Sequence, residues 1–424
     1  MSAALLQAVR AALAAAGSAG ESCACFVPGR IEVLGKHTDY AGGRSLVCAS
    51  EQGFVTAAAP RHDDVVRVID VATGERVELA LSPGLVQPPV PWTRYPATVI
   101  RRVARNFPAA RRGADFAFLS SLPLASGMSS SSAFMVSVFL AFATLNHLDE
   151  DESYRREIRS AEDLAGYLAS IENGRSFGAL TGDGGVGTFG GSEDHTAMLC
   201  CRPDQLSQYS FCPVRREREV PCPPARRFVV AVSGVKAEKT GAAKERYNRA
   251  SLAVRAILDL WRAATGREDV SLAEAIERSG ATDVRKAIEG ATVDGFTTSA
   301  LLDRFDQFVV ESVEIIPAAS DALERGDIAR FGVLVDRSQA QSEERLGNQV
   351  PETVTLARLA RDLGAEASSA FGAGFGGSVW ALVPDEAVDA FRHRWEAAYR
   401  AAFPRVDPVF LVTRAGAAAS RIET

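Results

Sequence analysis

The chain has 424 residues, of which 47% are hydrophobic and 24% charged, with a formal net charge of -6. That composition belongs to a soluble folded protein of about two or three domains and excludes wholesale disorder. The mildly acidic balance also argues against a nonspecific nucleic-acid binder, which needs a dense basic face, while leaving room for a local basic pocket around a small anion.

Residues 3–13 lack a basic segment ahead of their apolar run and are interrupted by Arg10, so they predict a surface helix and not a signal peptide. The stretch that organises the rest is Val27-Pro28-Gly29-Arg30-Ile31-Glu32-Val33-Leu34-Gly35-Lys36-His37-Thr38-Asp39-Tyr40-Ala41-Gly42-Gly43. Ile31, Val33 and Leu34 predict a short buried strand, and Gly35 lets the backbone turn so that Lys36, His37 and Asp39 leave the core together as a polar pocket. The bland alternative is a strand end followed by an ordinary polar loop. Residues 53–59 and 65–81 alternate apolar and polar positions and predict an antiparallel start around a turn at 60–64. A proline-rich loop over 83–91 leads to Trp92-Thr93-Arg94-Tyr95 and a helix over 97–107. Trp92 and Tyr95 suit core packing or a nucleotide base.

After a strand over 115–120 comes Leu122-Pro123-Leu124-Ala125-Ser126-Gly127-Met128-Ser129-Ser130-Ser131-Ser132-Ala133, which runs into an almost wholly apolar helix. Serines at a helix start offer free N–H groups, hydroxyls and the positive end of the helix dipole, which suit a phosphate. Serine is equally a good cap for a buried helix. A helix over 160–172 precedes a glycine-rich loop, 173–191, which delivers Glu193-Asp194-His195: a catalytic carboxylate with a neighbour, or a polar turn. Residues 203–227, dense in proline and arginine, read as the join between two halves, 1–215 and 216–424. The second half restarts with a strand over 228–235, after which Lys236 to Thr240 lead to a helix over 242–264 carrying Tyr247-Asn248-Arg249. Helical patterns dominate 271–345, and Pro351 opens a helix that ends at Gly364. Gly372-Ala373-Gly374-Phe375-Gly376-Gly377 then precedes a strand over 378–383, a helix over 386–403 and a strand over 408–413.

The seven cysteines include no C-x-x-C pair and no histidines lie at zinc spacing, so they read as reduced thiols. The most apolar helix, 134–145, is too short for a bilayer that takes about 20 residues. A cytoplasmic location follows as the expectation, with no nucleic-acid or membrane partner. Two glycine patterns mislead. Gly372-x-Gly374-x-x-Gly377 fits the dinucleotide fingerprint as text, but a strand follows it where a helix is required. Gly29 to Lys36 approaches a Walker A loop, but the glycines are spaced one residue too far and His37 stands where Ser or Thr should bind magnesium.

Three segments in fixed order carry a family resemblance. Gly29-Arg30 through Gly35-Lys36-His37-Thr38-Asp39-Tyr40 is similar to the sugar-binding signature of the galactokinase branch of the GHMP small-molecule kinases. Residues 123–133 resemble that family's phosphate loop, and 372–377 its third motif. Trp92-Thr93-Arg94-Tyr95, Tyr247-Asn248-Arg249 and Val350-Pro351-Glu352 add support. The resemblance implies a two-domain α+β fold with mixed sheets, in which ATP, Mg²⁺ and a sugar meet between the domains, in a monomer or homodimer. It places Asp194 as catalytic base and Arg30 beside it. Lys36, His37, Asp39, Gly191 and Tyr247 fall at sugar-contact positions, Trp92, Gly127, Ser129, Ser130, Ser131 and Ser132 at ATP contacts, and Ser130 and Glu172 at magnesium ligands. Such a site would phosphorylate the anomeric hydroxyl of galactose or a close relative.

The chain departs from the family in three places. Lys36 stands where a glutamate normally faces the sugar's C6 hydroxyl, so a uronic acid such as galacturonate, or arabinose with no C6 group, becomes an alternative substrate. The bland alternative for Lys36 is an ordinary lysine pointing to solvent or pairing with a nearby acid. The segment between Glu172 and Asp194 is longer than the family's, as in surface or lid insertions. The family's methionine-aspartate-glutamine becomes Glu193-Asp194-His195. A noncatalytic sugar and ATP sensor of the same fold is the other class of function.

Overall fold

Ile31, Val33 and Leu34 have no exposed surface; they close β1 (Cys23–Leu34), the strand around which the first sheet forms. The computed structural model describes residues 3–18, 23–123, 126–235 and 241–422. Leu124 and Ala125 of the serine turn and Lys236 to Thr240 lie outside the described residues. Antiparallel to β1 runs β2 (Arg44–Pro60), followed by β3 (Val65–Asp70), β4 (Arg76–Ala80) and β5 (Ala114–Ser120). The hairpin β6 (Gln205–Ser210) and β7 (Arg215–Pro221) attaches through β6 to β2. The last strand, β12 (Ser420–Ile422), returns from the far end of the chain to pair with β1. The order is β12-β1-β2-β5-β3-β4.

Two expectations are corrected here. The segments 53–59 and 65–81 are not neighbours across a turn, because β5 lies between them, antiparallel to β2 and parallel to β3. The turn at 60–64 crosses the start of β5, where Gly113 donates its N–H to Asp63 O at 2.8 Å and a Cβ would stand 2.3 Å from Val65 O. Residues 65–81 are moreover a hairpin, β3 against β4. The second correction concerns 203–227, which holds β6 and β7 as well as the join. The alternating charges of Arg215 to Glu219 belong to an exposed strand, and such charges protect a sheet edge from further pairing.

The second sheet has β8 (Arg226–Val232), β9 (Ala367–Phe371), β10 (Ser378–Pro384) and β11 (Val409–Thr413) in the order β11-β8-β10-β9. Helices Pro351–Asp362 and Val388–Ala402 pack against it, burying Leu356, Trp395 and Tyr399. A separate helical cluster is built from Gly241–Thr265, Leu272–Ser279, Ala281–Ile288 and Thr298–Val309, with Trp261 and Phe305 inside it. The main apolar cluster runs unbroken from Ile31, Leu46 and Phe139 of the first half to Phe331, Phe371 and Trp380 of the second. The protein is therefore α+β with mixed and antiparallel sheets. No helix among the described residues is long and apolar enough to cross a membrane.

Candidate active site

Where β1 ends, Gly35 adopts φ +125°, and a Cβ there would stand 2.3 Å from Ser45 Oγ. Only glycine makes that turn at such close range. Thr38 then locks it, its hydroxyl donating to Gly35 O at 2.8 Å and Arg44 O at 2.6 Å. Arg30 and Glu32, two apart on β1, share one side of the strand. Both are buried to 4% exposure. Toward them comes the helix Glu193–Cys200, so the acid run read as either a base or a polar turn forms the first turn of a helix, where the dipole favours carboxylates.

Arg30 and Asp194 meet: Nη2 lies 2.7 Å from Asp194 Oδ1, and Nε lies 3.5 Å from Glu193 Oε1. Arg30 Nη1 donates to Gly127 O of the serine turn, and the guanidinium stands 5.9 Å from the Phe371 ring. One side chain thus touches Asp194, the serine turn and the second half of the chain. Asp194 remains 20% exposed at its side chain, which leaves it open to a substrate.

The serine turn opens the helix Ser130–Leu145. Ser129 is left-handed at φ 56° and makes no side-chain cap, so the N–H groups of the first turn are not satisfied from within the helix. Ser130 and Ser131 stay partly exposed there, while Ser132 is buried. Ser126 Oγ is buried without a partner. The hydroxyl that stands on Glu172 is Ser132's, at 2.8 Å from Oε2, and it also reaches Asp194 Oδ2 at 3.5 Å. His195 Nε2 lies 3.4 Å from the same Glu172 oxygen. Among the described residues no group of three His, Cys, Asp or Glu would hold a metal alone. A Mg²⁺ near Ser130 and Glu172 would complete its shell with nucleotide phosphate and water, as this ion commonly does. Open N–H groups, unpartnered Ser126 and one nearby carboxylate fit that arrangement.

Trp92 is half-buried beside this helix, its ring 5.9 Å from Phe118 and 6.3 Å from Phe134, with Nε1 donating to Glu75 Oε2 at 2.7 Å. Gly372 lies against the turn so closely that a Cβ would stand 2.8 Å from Gly127 O. The third glycine motif thus supplies a close backbone approach, followed by β10 and not by a helix.

On the other side of Asp194, Asp39 accepts from Tyr40 N at 2.8 Å and Glu193 N at 3.1 Å. Burial raises its pKa against the opposing effect of these N–H donors. Gly191 sits at this carboxylate, where a Cβ would be 2.4 Å from Asp39 Oδ2. Tyr247 packs its ring 5.3 Å from that of His37. The His37 ring contacts Ala373 O through Nε2 at 3.1 Å and Tyr40 Oη through Nδ1 at 3.0 Å. A carbonyl only accepts, so Nε2 carries a proton; Nδ1 accepts from Tyr40 when the ring is neutral and donates to it when the ring is protonated.

Lys36, read as facing the substrate, pointing to solvent or pairing with a nearby acid, turns away from both substrate and solvent. It is 1% exposed, and its Nζ donates to Ser369 Oγ at 2.7 Å and Ser338 Oγ at 3.1 Å. Ser338 donates onward to Glu311 Oε1 at 2.9 Å, an oxygen that also accepts from Gly35 N. Arg304 donates to His37 O and to Tyr40 Oη at 3.2 Å. Glu311, Ser338 and Arg304 lie in ordinary helical sequence and carried no local signal; Tyr40 at least stands within the signature stretch. The loop 173–191 is fastened down: Arg101 Nε pairs with Asp183 at 2.8 Å, and Asn248 binds Phe189 N at 3.0 Å and Gly187 O at 3.3 Å. It walls the site instead of hanging free as a lid.

Three family models match this chain: the galactokinase galactose-binding signature over 14–60, the GHMP kinase N-terminal domain over 94–181 and the GHMP kinase C-terminal domain over 319–401. A galactokinase of Chloroflexus aggregans is 30% identical over 368 residues, covering 86% of this chain and 84% of its own. One from Roseiflexus is 29% identical over 400 residues, covering 93% and 92%. Among solved structures, Lactococcus lactis galactokinase complexed with galactose superposes with a TM-score of 0.79 at 22% identity over 99% of this chain and all of that one. Methanococcus jannaschii mevalonate kinase gives 0.58 at 12% identity, over 93% and 99%.

Proposed function

Since the chain belongs to the galactokinase family of GHMP kinases and is an ATP-dependent sugar kinase, we propose that it phosphorylates the C1 hydroxyl of galactose or a close relative, with Asp194 as base. The observation that carries this reading is the 2.7 Å pair between Arg30 and Asp194 at the mouth of the serine turn. Asp194 takes the proton of the anomeric hydroxyl, and the adjacent guanidinium favours its ionised form. That hydroxyl is more acidic than an ordinary alcohol, so holding it in line contributes more than the strength of the base. The N–H groups of 130–132 and the helix dipole face the transferring phosphoryl. When bound near Ser130 and Glu172, Mg²⁺ supplies charge neutralisation for the phosphates. Asp39, His37, Gly191 and Tyr247 form the sugar wall, with His37 fixed by Tyr40 and Ala373. The Lys36 ammonium is engaged by Ser338 and Ser369, which favours a neutral sugar over a uronate.

ATP-dependent phosphorylation over galactose, galacturonate, glucuronate and arabinose tests the substrate, with galactose expected to turn over fastest. Asp194→Asn should lower kcat by about 10²–10⁴-fold. An active Asp194→Asn enzyme would remove the base assignment. Binding of ATP and sugar with no turnover on any of the four would make the protein a sensor.

A further inference from the structure

Past Leu34 the backbone leaves the β1–β2 ladder, and its buried N–H and C=O groups must be paired by other means. One helix face does so. Glu311 Oε1 accepts from Gly35 N at 2.8 Å, Gln307 Nε2 donates to Lys36 O at 3.2 Å, and Arg304 Nη2 donates to His37 O. The three side chains recur at helical spacing on Thr298–Val309 and the π-helical turn Val310–Ile315 that continues it, so they share one face. All three are buried, Gln307 and Glu311 completely. The same face follows the chain further: a Cβ on Gly43 would stand 2.6 Å from the Phe308 ring, and Ser312 Oγ accepts from Arg44 N at 2.9 Å.

His37 is left-handed, with φ 58°. A residue with a side chain is strained in that region and persists there only where its surroundings over-determine it. The Lys36 carbonyl belongs to the peptide group before His37 and the His37 carbonyl to the one after it, so Gln307 and Arg304 grip the residue from both ends. They also grip each other, Arg304 Nη1 donating to Gln307 Oε1 at 2.5 Å. Arg304 Nη2 reaches on to Tyr40 Oη at 3.2 Å, the hydroxyl that lies against His37 Nδ1. The backbone and the ring of His37 are thus both referred to one guanidinium.

We propose that Arg304 and Gln307 are positioning residues for sugar recognition: they clamp the two peptide groups around His37, hold it left-handed and so aim its ring into the sugar wall. Glu311 fixes the start of the same turn at Gly35. The inference rests on reading His37 as a sugar contact, and it goes beyond that reading by giving the shape of a first-half turn to a helix of the second half. The clamp acts on residues 35–40, and the serine turn is a separate element. Its loss therefore reaches the sugar before it reaches ATP.

Steady-state kinetics and urea unfolding of the full chain test this. Gln307→Glu keeps the side chain's size and an acceptor for Arg304, but replaces the donor to Lys36 O with a second acceptor. Sugar KM should rise about tenfold in this variant, with kcat and ATP KM changed far less. Arg304→Met should raise sugar KM at least as much, and Arg304→Lys, which keeps one charged donor but not the fork, should recover part of the loss. Arg304→Lys also serves if Gln307→Glu does not fold. A lowered urea midpoint with both KM values unchanged would make the clamp a stability feature only and overturn the proposal. Equal rises in the two KM values, or no recovery in Arg304→Lys relative to Arg304→Met, would overturn it as well. His37→Ala separates the two layers of the argument. If it leaves sugar KM unchanged, the reading of His37 as a sugar contact falls; if it raises sugar KM while Gln307→Glu and Arg304→Met do not, the clamp alone falls.

Discussion

Lys36 sends a fully buried ammonium 302 and 333 residues along the chain, to the hydroxyls of Ser338 and Ser369. Burying such a charge costs several kcal/mol unless it is paired and hydrogen-bonded. Here two hydroxyls and Glu311, one hydroxyl away, supply the compensation. Lys36→Ala should therefore lower stability by about 3 kcal/mol, read as a drop in the urea midpoint, because Glu311 keeps its charge and loses the cation. The ratio of kcat/KM between galactose and galacturonate should stay unchanged in the same variant. Selective loss of galacturonate turnover, at an unchanged midpoint, would put the ammonium on the substrate. Buried Arg30 belongs to the same scale: its charge is offset by Asp194 at 2.7 Å and Glu193 at 3.5 Å.

The loop 173–191 and the helix Gly241–Thr265 act together as one wall. Asp183 ties the loop to Arg101, and Asn248 ties it to the helix that also presents Tyr247. The loop ends at Gly191, with no room for a methyl group between it and Asp39. Gly191→Ala must displace the Asp39 carboxylate, at a cost of about 1–3 kcal/mol. Sugar KM should rise about tenfold or more, with ATP KM changed far less, since the serine turn is a separate element. Equal increases in both constants would mean that the loop supports the whole site and not the sugar wall.

At the scale of the molecule, the two sheets share one apolar cluster that reaches from Ile31 to Trp380. Polar contacts cross at the same place: Arg30 to Phe371, His37 to Ala373, Lys36 to Ser369, and Ser378 to Ser126 O. The strand β12 returns to β1 and closes the chain on itself. Unfolding in urea should therefore follow a single transition, with far-UV circular dichroism and tryptophan fluorescence coinciding. Two separated midpoints would show that the halves are stable independently.

Local pattern was enough for the strand ending at Leu34 and the turn at Gly35. It was enough, too, for the serine-led apolar helix and for the strand after the glycine-rich motif, because a period of two or 3.6 and the backbone freedom of glycine are properties of neighbouring residues. The motifs that carry membership of the galactokinase family are likewise contiguous and legible. Tertiary structure alone decided that β5 separates β2 from β3, that Lys36 turns inward, and that Glu193 and Asp194 both meet Arg30. A buried charge settles on whatever partner the fold brings within about 3 Å. In this chain those partners lie far away in sequence, so the family could be read along the chain while the electrostatics of the pocket could not.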